Sequence, residues 1–361
     1  MLLRFVLRIA AVFYSLVICL RNFLYSRRLL KIHVVDAVVI SIGNITAGGT
    51  GKTPLVIWLA NFLTQNSKLK TQNCSVLTRG YKSRDYSEFI VQNSVVGTPD
   101  SGLRTPDYND EPGVFAENCP NVKVIVNADR LAGALQAIKD HNARVLIMDD
   151  GFQHRRLHRD LDVVTIDATC PFGYDRLLPA GLLREPVSAL HRANGVVLTH
   201  CDQVSQTQLN QIESRIRTVN LRILLARSIH TPVFAGMADG SQVNLEQLSG
   251  KKVFAFCGIG NPDSFLQTVQ RLGAALVGSV IYNDHHHYTG LCVTEIVRQA
   301  GNANADFILT TQKDWTKIRS LLPAHPTVPF AYLVIQIAFL TGEDQLKRLI
   351  EESIAGRIAR A

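Results

Sequence analysis

The 361-residue chain has no C-x-x-C pair, although it carries seven cysteines at 19, 74, 119, 170, 201, 257 and 292. Odd in number and scattered, they fit neither a disulfide framework nor a zinc site and read as reduced thiols of a cytosolic protein. No zinc-finger, KH-like or RRM-like signature is present, so the net charge of +8 ranks nucleic acid low as a partner. No internal repeat or low-complexity segment stands out. Charged residues make up only 19% against 47% hydrophobic, enough apolar material for a sizeable core and too much for disorder. The length favours two domains.

Acidic residues are absent before Asp36, whereas Arg4, Arg8, Arg21, Arg27, Arg28 and Lys31 crowd the same stretch. No run there reaches the roughly 20 apolar residues of a spanning helix. The longest, Ile9–Leu20, has twelve. On a helical wheel Arg4, Arg8, Ser15, Asn22 and Ser26 fall within about 40° of one another. That pattern predicts an amphipathic helix over 1–32 lying in an interface, its arginines reaching anionic headgroups. A signal peptide and the core helix of a soluble protein are the rivals; no clear A-x-A cleavage site follows the run.

Beyond it, short β-branched runs alternate with helical patterns. Val34–Ile42, Ser75–Thr78, Val122–Val126, Arg144–Met148, Val163–Ile166 and Gly195–Thr199 read as strands, and Asp129–Lys139 as a helix. This order predicts an α/β fold with a mostly parallel sheet and helices on both faces. Residues 83–112 are polar and read as a long loop or lid. After about residue 225 the rhythm restarts with strands at Val253–Cys257, Ala275–Ile281 and Phe307–Thr311. The expected division is 33–225 for a nucleotide-binding domain and 226–361 for a smaller α/β domain closing over its site.

Between the first strand and its helix stands Thr46-Ala47-Gly48-Gly49-Thr50-Gly51-Lys52-Thr53. A strand turning sharply into a helix presents backbone N–H groups and the positive helix end to a phosphate. In such a P-loop Lys52 neutralises β/γ oxygens and the Thr53 hydroxyl binds Mg²⁺. Thr46 stands where the strict pattern has Gly, and an ordinary Gly-rich turn is the bland alternative. Asp149 and Asp150 end an apolar strand, where a magnesium-binding carboxylate sits in such folds; a helix N-cap would explain either one alone. The candidate metal set is Thr53, Asp149, Asp150 and Glu111. Arg79 and Arg130 are weaker candidates for anion contacts. The run His154-Arg155-Arg156-Leu157-His158-Arg159 reads either as a substrate or headgroup contact or as a solvated face.

Read in order, Gly43–Pro54, Thr78–Tyr81, Asp110-Glu111-Pro112, Asp149–Arg155, Leu178–Pro186, Asp284–Tyr288 and Thr310–Asp314 resemble the tetraacyldisaccharide 4′-kinase family. The resemblance spans nearly the whole chain. It implies a kinase on the cytoplasmic face of the inner membrane of a Gram-negative-type bacterium, moving the γ-phosphate of ATP to the 4′-hydroxyl of a lipid-linked disaccharide to give lipid IVA. It also implies Lys52 and Thr53 as phosphate and Mg²⁺ contacts, Asp149 and Asp150 as the carboxylate pair, Asp110 as catalytic aspartate with His285 as partner, and Arg184 in the active site. Asn109 departs from the family's usual Gly, and His285–His287 run together, which leaves open which ring acts. From the residues alone, Asp110 also fits a turn carboxylate and Arg184 a salt bridge with Glu185. No obligate protein partner is evident. A membrane-tethered nucleotide switch shares the glycine loop but needs no acceptor-activating base.

Overall fold

The computed structural model describes residues 2–66, 73–80, 111–284, 286–323 and 325–359. The helices are α1 (Leu2–Ser26), α2 (Lys52–Gln65), α3 (Glu111–Asn118), α4 (Arg130–His141), α5 (Gln206–Val219), α6 (Pro262–Arg271), α7 (Gly290–Asn302), α8 (Gln312–Ile318) and α9 (Glu343–Ile358). The strands are β1 (Val38–Asn44), β2 (Cys74–Thr78), β3 (Lys123–Val126), β4 (Val145–Asp149), β5 (Leu161–Asp167) and β6 (Gly195–Thr199), followed by β7 (Leu224–Met237), β8 (Gln242–Val243), β9 (Lys252–Cys257), β10 (Ala275–Ile281), β11 (Phe307–Thr311) and β12 (Phe330–Thr341).

All twelve join one sheet in the order β10-β9-β11-β12-β7-β6-β5-β1-β4-β2-β3, with β8 beside β7. Pairing is parallel except for β7 with β12 and with β8. The expected mostly parallel sheet is therefore present. Strand order reverses at β1, between β4 and β5, and a switch point of this kind is where an open α/β sheet binds its ligand.

β1 shows why helices cover both faces. Ile40 and Ile42 point into a core with Leu55, Leu59 and Leu63 of α2, while Val39 points into the opposite core with Ala134 and Ala137 of α4. In the second lobe, Phe265 and Val269 of α6 cover one face of β9, and Ile296 of α7 and Trp315 of α8 the other. The sheet runs unbroken across residue 225, because β7 pairs with β6 through Leu224–Arg227 and with β12 beyond it. The chain end also crosses back: Leu346, Ile350 and Ile354 of α9 pack in the α2 core of the first lobe.

α1 lies within the expected 1–32, but its apolar stretch is longer than the run of twelve. Val6–Ser26 has a mean hydropathy of 1.7 and passes, by length and composition alone, as a segment able to cross a membrane. Its polar stripe also faces differently from expectation. The Tyr14 hydroxyl donates to the Arg184 carbonyl at 2.9 Å and Asn22 Nδ2 to Glu185 Oε2 at 2.7 Å. The stripe containing Asn22 and Ser26 thus sits against the protein body, with Ile18 buried there, and the outward face is apolar: Val12, Phe13, Leu16, Val17 and Leu20 are exposed.

Candidate functional site

The glycine loop leaves β1 at the switch point and enters α2 at Lys52. Gly51 has φ 78° and Gly48 φ 109°, a region open to glycine at no steric cost. A side chain at Gly51 would also strike His230 Nε2 at 2.6 Å. Thr50 is buried and ties the loop down: its hydroxyl accepts from Asn44 Nδ2 at 3.0 Å and lies 2.8 Å from that of Thr165. Its carbonyl accepts from the Thr199 hydroxyl at 3.1 Å. On the outer side Ala47 N–H donates to the Leu182 carbonyl and Arg184 N–H to that of Ile45. The loop is thus tied to the body of the protein on both sides.

A cleft of about 660 Å³ runs over this loop, lined by residues 47–54 together with Arg79, Glu111, Asp149, Asp150, Arg184 and Lys313. Asp149 ends β4; Asp150 follows in the left-handed region with φ 51°. Asp150 meets Lys52 Nζ at 3.4 Å and Arg184 Nη1 at 2.8 Å. Burial alone would raise its carboxyl, but the Lys52 and Arg184 cations prevail and hold it well below the usual carboxylate range. Asp149 goes the other way. Burial, with Glu111 and Asp150 nearby, pushes it up to about 7 despite Lys52 and Arg130. Its Oδ2 lies 3.4 Å from the Thr78 hydroxyl, and among the described residues its Oδ1 has no hydrogen-bond partner.

Residues 47–53, Asp149, Asp150, Glu111 and Arg184 line one cleft, whereas Thr46 is buried beside it in a bridge to Leu183. Arg184 pairs with Asp150, not with Glu185, which is fully buried against Arg192 at 2.8 Å and Arg21 at 3.6 Å. Asp150 is occupied by two cations, which separates it from Asp149 as a metal ligand. Among the described residues no three His, Cys, Asp or Glu side chains cluster tightly enough to hold an ion by themselves. Asp110 and His285 lie outside the described residues. Arg130 is buried and donates to the Asp149 carbonyl at 3.3 Å, so it braces the strand end. Arg79 is exposed on the cleft rim.

The basic run from His154 is largely internal wiring. Arg155 donates to the Asn22 carbonyl of α1, Arg156 pairs with Asp129 at 3.0 Å, and Arg159 with Asp162 at 2.9 Å. Burial, helped by the Arg130 cation, pushes His154 down to about 4, so its ring is neutral at pH 7.

Two features escaped the sequence reading. Lys313 at the start of α8 meets Asp284 at 3.5 Å and, across the cleft, Glu111 at 3.8 Å. Gly260, in the turn after β9, abuts the phosphate loop so closely that a Cβ would lie 2.6 Å from Gly49 N. The string Gly258-Ile259-Gly260 was the available signal, since glycines at a strand end can mark a close backbone approach.

Comparison with known proteins agrees with this geometry. The family model described as tetraacyldisaccharide-1-P 4′-kinase (LpxK) matches residues 3–355. The chain belongs to this family of kinases. It is 37% identical to the tetraacyldisaccharide 4′-kinase of Halothermothrix orenii over 87% of this chain and 82% of that one. With the Syntrophus aciditrophicus relative of the same name it shares 35% over 94% and 89%. A crystal structure of LpxK from Aquifex aeolicus in complex with ATP superposes with a TM-score of 0.72 at 28% identity, covering 98% of this chain and 99% of that one. Family membership thus rests on the whole length, α1 and the second lobe included.

Proposed function

We propose that the protein transfers the γ-phosphoryl group of ATP to the 4′-hydroxyl of a tetraacylated disaccharide 1-phosphate, working at a membrane surface. The observation that carries this reading is the pairing of Lys52 and Arg184 on Asp150 inside the phosphate-loop cleft. Two cations, pre-placed by a carboxylate and anchored on separate loops, face the position of the transferring phosphoryl group. They stabilise its charge without moving at the moment of reaction.

Mg²⁺ fits the residues present. The partnerless, buried Oδ1 of Asp149 and the Thr53 hydroxyl are hard oxygen donors of the kind the ion takes, with phosphates and water completing its shell. When bound, the ion neutralises phosphate charge. Glu111 is on the cleft as well, although its tie to Lys313 makes it a second choice.

The acceptor hydroxyl needs a base, and Asp110 with His285 is the pair implied by the family resemblance. Their immediate chain neighbours support this: Glu111 and Asp284 meet on the same Lys313. A nucleotide switch accounts for neither that convergence nor the family membership. The amphiphilic acceptor is reached through α1. Its outward apolar face suits the acyl boundary of a membrane, and its polar ties to residues 184–185 keep it alongside the body, which favours lying in the interface over spanning. Since ATP is the donor, the cytoplasmic leaflet of the inner membrane is the expected surface, its anionic lipids meeting Arg27, Arg28 and Lys31. The test is incubation with γ-labelled ATP, Mg²⁺ and the tetraacylated disaccharide phosphate in detergent. Label is expected in the lipid, and unlabelled lipid beside consumed ATP overturns the acceptor assignment.

A further inference from the structure

Three loops leave the C-terminal ends of the neighbouring parallel strands β10, β9 and β11, on the side where such sheets bind ligands. Each sets one residue on the cleft: Gly260 after β9, Asp284 after β10 and Lys313 after β11. Each also sends one donor inward to the same carboxylate, that of Asp314, which has no exposed surface. The Gly258 N–H donates to Oδ2 at 3.0 Å and the Thr311 hydroxyl to Oδ2 at 2.7 Å. The Tyr288 hydroxyl donates to Oδ1 at 3.1 Å, and Lys317 Nζ stands 3.6 Å from the same oxygen.

The junction has no slack. A Cβ on Gly258 would lie 3.1 Å from the Tyr288 hydroxyl and 3.3 Å from Asp314 Oδ1. Burial and the adjoining carboxylate push the Tyr288 phenol far up, so it remains a donor at all working pH values. The two carboxylate oxygens offer acceptors to all three donors at once; an amide turns an NH₂ group either towards Gly258 and Thr311 or towards Tyr288 and the Lys317 ammonium. The glycine loop, by contrast, is anchored separately, through Thr50, Thr165, Thr199 and residues 182–184.

We propose that Asp314 is a positioning residue for phosphoryl transfer: its carboxylate sets the relative placement of the three second-lobe loops that face the phosphates. The inference rests on the kinase reading above. Because nucleotide affinity belongs mainly to the separately anchored glycine loop, loss of this junction acts on kcat more than on ATP binding.

Asp314→Asn, Tyr288→Phe and the double variant test it, assayed well below their melting temperatures. Asp314→Asn is expected to lower kcat by about tenfold or more, the scale of sub-ångström misplacement. ADP affinity should stay within about threefold, since the glycine-loop donors are untouched. Tyr288→Phe, which removes one donor at almost constant volume, should lower kcat less. In the Asp314→Asn background it should add little, because both act through one junction. Hydrogen exchange should quicken together in peptides covering 258–262, 283–289 and 311–313. A merely structural Asp314 would lower the melting temperature and leave kcat at the parental value; that result overturns the proposal, as does exchange that quickens at one loop alone. If the parent chain transfers no phosphate to the disaccharide, the kinase reading fails. The exchange arm then decides the junction by itself, and unchanged exchange overturns it.

Discussion

Replacing Gly260 by alanine tests how closely the second lobe is fitted to the phosphate loop. The added Cβ would lie 2.6 Å from Gly49 N, where ordinary contact begins near 3.4 Å. Sideways relief is closed, because Asp284 Oδ2 and the Gly48 carbonyl carbon each stand at 3.4 Å. The obstacle is backbone on the other lobe, so no rotamer change removes it. The turn must retreat from the loop by about 0.8 Å, or the Gly49 amide must turn away from the cleft, and overpacking of this size costs about 1–3 kcal/mol. Gly260 itself is exposed and its φ suits alanine, so the strain falls on the alignment of the lobes and not on the core. The melting temperature should fall by no more than about 4 °C, the shift that a cost of this size gives in a chain of this length. By contrast, kcat/KM for ATP should fall about 10- to 100-fold, the cost of misplacing reacting groups by nearly an ångström. Steady-state kinetics and a thermal melt on the same preparation decide it. Parental kcat/KM in a folded Gly260→Ala protein would refute the close fit.

Arg184→Ala removes one of the two cations on Asp150 and should lower kcat/KM by about 100-fold, with Arg184→Lys recovering part of it, since an ammonium restores charge but not the fork. Asp129 caps α4 by accepting from the Leu131 and Ala132 amides, so Asp129→Ala should cost about 1 kcal/mol in a urea melt at pH 7. Burial pushes the Asp129 carboxyl up, but the two amide bonds and Arg156 together outweigh it and lower the group; its contribution is therefore full above the unfolded-state pKa and disappears as pH falls through the lowered folded value, so parent and variant should converge in acid. Leu16→Asp with Leu20→Asp should weaken binding to anionic vesicles more than tenfold, each leucine being worth about 1.5–3 kcal/mol when buried in lipid, while nucleotide binding persists. Asp149 is raised, so its ionised form opposes folding as pH climbs above the unfolded value; in metal-free buffer at pH 8, Asp149→Asn should stabilise the fold by on the order of 1 kcal/mol while kinase activity is lost, and a destabilised Asp149→Asn would contradict the assigned burial.

Most of the fold was legible because its strands are short apolar runs punctuated by glycine and acid. β1, the loop and α2 follow directly from a β-branched segment ending in Gly-Gly-x-Gly-Lys-Thr. The long antiparallel pair β7 and β12 was not. Leu224–Met237 carries Arg227, His230 and Pro232, a composition that reads as broken by proline. The sheet accommodates it through a register shift, where Phe234 opposite Val334 gives way to Pro232 opposite Ile335. Nor could periodicity say where α9 goes. An apolar stripe at Leu346, Ile350 and Ile354 announces a helix with one buried side, but not which of two sheet regions covers it. The same ambiguity applies to α1: Asn22 and Ser26 lie on the polar stripe whose arginines were expected at the headgroups, yet Glu185 and Arg155 stand opposite them.

The site divides along a similar line. Chemistry confined to one segment could be read, and chemistry assembled between segments could not. Adjacent aspartates at a strand end announce two roles, because successive side chains diverge. Which of them stays charged depends on Lys52 and Arg184, brought from 98 residues before and 34 after Asp150. With both cations on Asp150, the anion beside them is stabilised and the one behind it is left to desolvation. Asp149 is thereby kept as a buried carboxyl whose free oxygen gains most from an incoming cation. The same two cations that ready the cleft for phosphate thus leave Asp149, and not Asp150, as the carboxylate suited to a metal.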